Sequence, residues 1–136
     1  MATFLDTNVL VYAFDGGDER KRAIAQAILA DVTIDIVVSA QVLSEFYWTV
    51  TRKLVPRLEE DVAHDVVHHL SAGEVVPIDG PLVDAAIGVA RRHRLALWDA
   101  AILVAAGRAG CHEVLSEDLN DGEVVAGVRV RDPFAA

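Results

Sequence analysis

The sequence predicts an α/β domain whose mainly parallel sheet is flanked by helices. Short β-rich runs alternate with longer segments of helical periodicity, the pattern of consecutive βα units. Over half of the 136 residues (53%) are apolar, enough for a real core. No internal repeat, low-complexity stretch or long linker divides the chain, so one domain over 1–136 is expected.

The first strand is Thr3-Phe4-Leu5, ending at Asp6, and a short helix follows through Asn8 to Phe14. Asp15-Gly16-Gly17-Asp18 is a turn. A helix from about Glu19 to Ala30 places Ile24, Ala27 and Ile28 on one face. Asp35-Ile36-Val37-Val38 is the second strand, and Ser39 is a good N-cap for the next helix. That helix carries Val42, Leu43, Phe46, Tyr47, Val50 and Leu54 at helical spacing, with Pro56 ending it. Another helix spans roughly Arg57 to Leu70. Glu74-Val75-Val76-Pro77-Ile78 is a short strand that its proline assigns to a sheet edge. Asp79 caps a helix with Pro81 in its first turn, running to about His93. From Trp98 to Ala109 the chain is apolar on every side at its centre, the mark of a buried helix. His112 to Leu115 is a strand, residues 116–122 a polar loop, and Val128-Arg129-Val130 the fifth strand.

The net charge of −9 argues against a general nucleic-acid coat protein, which neutralises many phosphates and is usually basic. It does not exclude an enzyme with a local basic rim. Basic residues cluster in Arg20-Lys21-Arg22, Arg52-Lys53 and Arg91-Arg92-His93-Arg94, each also a natural helix end. Cys111 is alone, so no internal disulfide forms. The start lacks the basic and long apolar segments of a signal peptide, and the run Ala100 to Ala106 is too short to span a bilayer. A reducing cytoplasm is the expected location.

Four acids fall at matching places. Asp6 and Asp118 each follow an apolar strand, at the carboxyl edge where open α/β sheets bind ligands. Glu45 lies two turns into the helix that leaves this edge. Asp99 opens the buried helix, whose start a right-handed crossover brings to the same edge. Carboxylates gathered this way repel one another unless a cation compensates, and hard oxygen donors suit Mg²⁺ or Mn²⁺. Mg²⁺ with a few carboxylates and a substrate phosphate points to phosphodiester hydrolysis. Each acid also has a plain structural role open to it: strand end, helix surface, helix start or turn. His64, His68 and His69 form a polar helix face, Ser39 and Ser116 lack a nucleophile context, and Tyr47 and Trp48 are expected to pack rather than stack on bases.

Phe4-Leu5-Asp6-Thr7-Asn8-Val9-Leu10-Val11-Tyr12 resembles the start of PIN domains, in particular VapC-type toxins. Ser44-Glu45-Phe46, Trp98-Asp99-Ala100-Ala101-Ile102 and the Ser116-Glu117-Asp118 segment resemble the family's later acid-bearing segments, in order along nearly the whole chain. The resemblance implies a PIN-like three-layer fold with a five-stranded sheet in the order 3-2-1-4-5, which sets Asp6 beside Asp118. It implies a Mg²⁺-dependent endoribonuclease toxin leaving 3′-hydroxyl and 5′-phosphate ends. It also implies a homodimer and a VapB-type antitoxin that blocks the cleft, often with an arginine or a bulky side chain. Asp6, Asp99 and Asp118 are then the metal ligands, with Glu45 binding a metal or orienting water. Asn8 and Ser116 support the carboxylates. Asp121 competes with Asp118 for the place of fourth acid, or supports the site from behind or through a metal-bound water, and Glu117, between inward residues, should point away. The alternatives are a receiver-like phospho-acceptor, for which Asp6 lacks an acidic neighbour and Lys21 and Lys53 are poorly placed, and a PIN-like protein acting by binding alone.

Overall fold

The computed structural model describes residues 2–135, so Met1 and Ala136 of the expected domain lie outside the described residues. Strand β1 (Ala2–Leu5) leads through Asp6 into α1 (Thr7–Tyr12) and α2 (Glu19–Ala30). Then come β2 (Asp35–Ser39), α3 (Ala40–Arg52), α4 (Glu60–Ser71) and β3 (Glu74–Val76). After α5 (Gly80–His93) and α6 (Leu97–Arg108) follow β4 (Glu113–Leu115), β5 (Val124–Val125) and β6 (Val128–Arg131).

The sheet order is β3-β2-β1-β4-β6-β5. The expected order 3-2-1-4-5 holds for the five expected strands, with β6 as the fifth, but the sheet has a sixth. Residues 124–125 form a short outer strand, antiparallel to β6 with Val125 opposite Val128; all other pairs are parallel. The missed hairpin turns through Ala126 and Gly127, both at positive φ (53° and 78°), as a two-residue turn matching strand twist demands. Alanine gives no turn signal there, which is why the sequence pattern hid it.

Other boundaries moved for local reasons. Helix α3 stops at Arg52, short of Leu54, because Val55 precedes a proline and is pushed out of the helical region. Leu54 is nevertheless buried from the following turn. Helix α4 begins at Glu60 instead of Arg57, and β3 stops before Pro77, at the sheet edge its proline called for. On α2 the buried residue is Ala25, flanked by half-buried Ile24, Ile28 and Leu29, while Ala27 faces solvent.

Helix α6 lies against β2, β3, β4 and β6, with α5 packed on it. Ala100, Ala101, Ile102, Leu103, Ala105 and Ala106 are buried, in accord with an all-round apolar helix. A Cβ at Gly107 would meet the Ala126 carbonyl at 3.2 Å, closer than most such contacts, so glycine here eases the approach of α6 to the hairpin turn. Helices α1, α3 and α4 form a second group, in which Phe46 is fully buried and meets Phe14 edge-on at 5.6 Å. Phe46→Ala is expected to lower unfolding free energy by about 3–5 kcal/mol in denaturant melts, through lost transfer energy and the cavity it leaves.

Candidate active site

Asp6 is the pivot. Its backbone N–H donates to the Leu115 carbonyl at 3.0 Å, extending the β1–β4 register by one residue and setting Asp6 level with Ser116. Its side chain then has two tasks. Oδ1 accepts from Thr7 N at 2.7 Å and caps α1, while Oδ2 accepts from Ser116 Oγ at 2.7 Å and Asn8 Nδ2 at 3.4 Å. The residue is 8% exposed. Burial pushes the Asp6 carboxyl up to about 6; the bonds from Ser116 and Thr7 resist the rise, and the charges of Asp118 and Glu45 add to it.

Ser116 and Asn8 tie Asp6 to Asp118. The Ser116 hydroxyl, fully buried, accepts from Asp118 N at 3.1 Å while donating to Asp6. Asn8 Nδ2 donates to Ser116 Oγ and to Asp118 Oδ2, both at 3.2 Å, and Asn8 Oδ1 accepts from Glu117 N at 3.1 Å. Ser116→Ala strips a partner from both acid segments. It is expected to lower nuclease turnover or metal affinity by about 10–100-fold, with an unchanged far-ultraviolet dichroism spectrum as the check on folding.

Glu45 stands exposed on α3 and accepts from Gln41 Nε2 at 2.8 Å; the same amide reaches the Trp98 carbonyl at 3.3 Å. Gln41 therefore fastens the turn bearing Glu45 to the start of α6, where Asp99 follows Trp98. The Asp99 carboxyl is held above its ordinary value, first by burial and then by the charge of Asp118. All four acids thus sense one another in a chain: Glu45 and Asp118 act on Asp6, and Asp118 acts on Asp99.

Asp121, the other acid of this loop, does not line the cleft that holds Asp118. Its Oδ1 accepts from Asp132 N at 2.9 Å, bracing the turn after β6. Asp121 lies in the same polar loop as Asp118, but the loop bends between them. Glu117 does not simply point away: it lines the same cleft as Glu45 and Asp118, with its charge tied to neighbouring side chains. Its carboxylate accepts from Tyr12 Oη and from Lys21 Nζ, the latter at 2.6 Å. Burial pushes the Glu117 carboxyl up, but these bonds outweigh it and hold it below its ordinary range. Lys21 also lies 4.8 Å from the Tyr12 ring centroid, so α2 anchors the loop that carries Asp118. Neither Gln41 nor this use of Lys21 was visible beforehand; both depend on contacts between distant segments. His64 and His69 line hollows shared with none of the four acids.

A cleft of about 380 Å³ is lined by Thr7, Asn8, Val11, Tyr12, Asp15, Glu45, Thr49, Glu117 and Asp118. Among the described residues no three carboxylate, imidazole or thiolate side chains close on one point as a preset metal cage. The donor set still fits Mg²⁺, which keeps several waters and takes one or two carboxylates directly. Thr7 Oγ1, on the wall of this cleft, is buried without a hydrogen-bond partner, a further oxygen available to a bound, hydrated ion.

Fold and site together define an α/β protein with a carboxylate cluster at the carboxyl edge of a parallel sheet. The chain belongs to the PIN-domain family, whose model matches residues 3–124. Solved structures share the fold. FitAB bound to a DNA fragment contains a chain with TM-score 0.70 and 23% identity, over 98% of this chain and 96% of that one. VapC20 of Mycobacterium tuberculosis, described as a toxin cleaving the sarcin–ricin loop, has TM-score 0.66 and 18% identity, over 89% and 91%. A toxin–antitoxin complex from Klebsiella pneumoniae has TM-score 0.69 and 20% identity, over 96% and 97%. No curated protein sequence matches this one. Among the described residues no helix is long and apolar enough to cross a membrane.

Proposed function

We propose that this protein is a Mg²⁺-dependent endoribonuclease toxin of a VapBC-type toxin–antitoxin pair. The observation that carries the reading is the hydrogen-bonded set Asp6–Ser116–Asn8–Asp118 at the sheet edge, coupled in charge to Glu45 and Asp99, in a chain of the PIN family. Asp6, Asp99 and Asp118 would hold the ion, with Mn²⁺ an acceptable substitute. When bound, it supplies an activated water and neutralises charge on the phosphate. Glu45, exposed and braced by Gln41, is placed to orient water. Asn8 and Ser116 hold the carboxylates of Asp6 and Asp118 in fixed positions relative to one another.

The named relatives include a toxin that cuts RNA and complexes of toxin with antitoxin, and these support the partner side of the proposal. An apolar groove of about 440 Å³ between α1, α2 and α4, lined by Leu10, Phe14, Leu29, Ile36, Val66 and Leu70, has room for an antitoxin's apolar side chains. The acidic cleft suits an inserted arginine. A homodimer is proposed on the same family grounds.

The test is incubation of the purified protein with structured RNA, with Mg²⁺ and with excess chelator, beside Asp6→Asn and Asp99→Asn. The expected result is cleavage that the chelator and both variants abolish, leaving 5′-phosphate ends. Cleavage indifferent to chelator, or full activity in the variants, would refute the proposal.

A further inference from the structure

The chain has two tryptophans, and both lie at the surface: Trp48 is 50% and Trp98 66% exposed. The expectation that Trp48 packs is therefore corrected, since packing on α3 is done by its neighbours Phe46 and Val50. The two indoles stand on either side of Glu45. Gln41, Ser44, Glu45 and Trp98 line one hollow of about 310 Å³; Ser44, Glu45, Trp48, Thr49 and Lys53 line another of about 430 Å³. Glu45 also lines the cleft that holds Asp118, so three hollows meet at this one acid. From Gln41, which touches Trp98, to Trp48 is seven residues, about 10 Å along α3. Over the Trp48 ring lie the Lys53 ammonium, 4.9 Å from the centroid, and the Arg52 guanidinium at 6.0 Å.

We infer that Trp48 and Trp98 are stacking platforms for two unpaired bases of single-stranded RNA, holding the backbone between them across Glu45 and the neighbouring acids. The inference rests on the ribonuclease reading above and deepens it. Indole faces bind any base that is out of its helical stack, and a duplex offers none, so the site selects single-stranded segments. The cations beside Trp48 meet the flanking phosphates, giving a chain of net charge −9 a local basic rim at the place RNA must pass.

The two rings are also the chain's only tryptophans, so emission excited at the red edge, beyond tyrosine absorption, reports on this face alone. Asp118→Asn protein in Mg²⁺ is titrated with a single-stranded ten-nucleotide RNA, then with the same sequence annealed to its complement. The expected result is quenching by the single strand, with binding about tenfold weaker for each Trp→Ala change, largely restored by Trp→Phe, and much weaker binding of the duplex. In otherwise wild-type enzyme the same Trp→Ala changes raise KM far more than they lower kcat. Emission unmoved by bound RNA, or Trp→Ala variants that bind and cleave as wild type, would overturn the inference and leave the nuclease proposal standing. A Trp→Ala variant that falls from dimer to monomer in sedimentation would assign the face to a second copy and overturn it too. A wild-type protein that neither binds nor cuts RNA would overturn both.

Discussion

Asp6→Asn is expected to end cleavage, with a loss of more than about a hundredfold, and yet to give a metal-free protein that melts higher than wild type at pH 7.5. The two effects have one cause. Asp6 is 8% exposed, and its carboxyl is pushed up to about 6 by burial, with Asp118 and Glu45 adding to the rise. A carboxyl whose folded value is raised takes up its proton more readily in the folded than in the unfolded chain. Its contribution to stability is therefore fully present below about pH 4, its unfolded value, and is lost as pH rises through about 6. At pH 7.5 the charge is carried at a cost of up to about 3 kcal/mol, roughly two units at 1.36 kcal/mol each. Asparagine removes that charge and keeps an oxygen for Thr7 N, but its amide nitrogen can accept neither the bond from Ser116 Oγ at 2.7 Å nor that from Asn8 at 3.4 Å, so the observed gain is smaller. The difference in melting temperature should shrink steadily as pH falls toward 4. Mg²⁺ should raise the melting temperature of wild type by mass action and leave Asp6→Asn almost unmoved. A variant that melts lower than wild type across pH 4–8 would show that its hydrogen bonds, not its charge, dominate.

What the sequence made legible and what it hid have a common explanation. Local periodicity and chain order are written in neighbouring residues, and from them came the βα alternation, the buried α6, the edge assignment of β3 and the convergence of Asp6 with Asp118 beside Ser116 and Asn8. Information held between distant segments was out of reach. The β5–β6 hairpin turns on Ala126 taking a positive φ, which no residue preference announces. Gln41 acts by reaching Trp98, 57 positions away, and Lys21 by reaching Glu117, 96 positions away. Trp48 falls off the stripe of Val42, Leu43, Phe46 and Val50, so its outward face was legible in the helical spacing, whereas its closeness to Glu45 and Lys53 in one hollow was not.

The same limit applied to the fourth acid, and it yields the second large effect. Asp118→Asn is expected to lower turnover by more than about a hundredfold, while Asp121→Asn should leave it within a few-fold of wild type. The two residues are three apart in one loop, but their oxygens serve different ends. Asp118 Oδ2 is held by Asn8 at 3.2 Å, within a group that includes Asp6 and Ser116 and acts on Asp99. Asp121 Oδ1 is spent on Asp132 N at 2.9 Å, below the Gly122 N–H that donates to Val130 at 2.8 Å, so it fastens the loop to β6. Its amide replacement still has an oxygen for that bond, whereas Asp121→Ala has none and should lose about 1 kcal/mol of stability with little change in kcat. Mg²⁺ titrations separate the roles further. An Asp118→Asn protein should need far more Mg²⁺ for half-maximal rate, and an Asp121→Asn protein should need the same amount as wild type. If Asp121→Asn proved the inactive one, the loop would have to turn over on binding RNA or metal, and the bond from Asn8 to Asp118 would mark a resting arrangement instead of a working one.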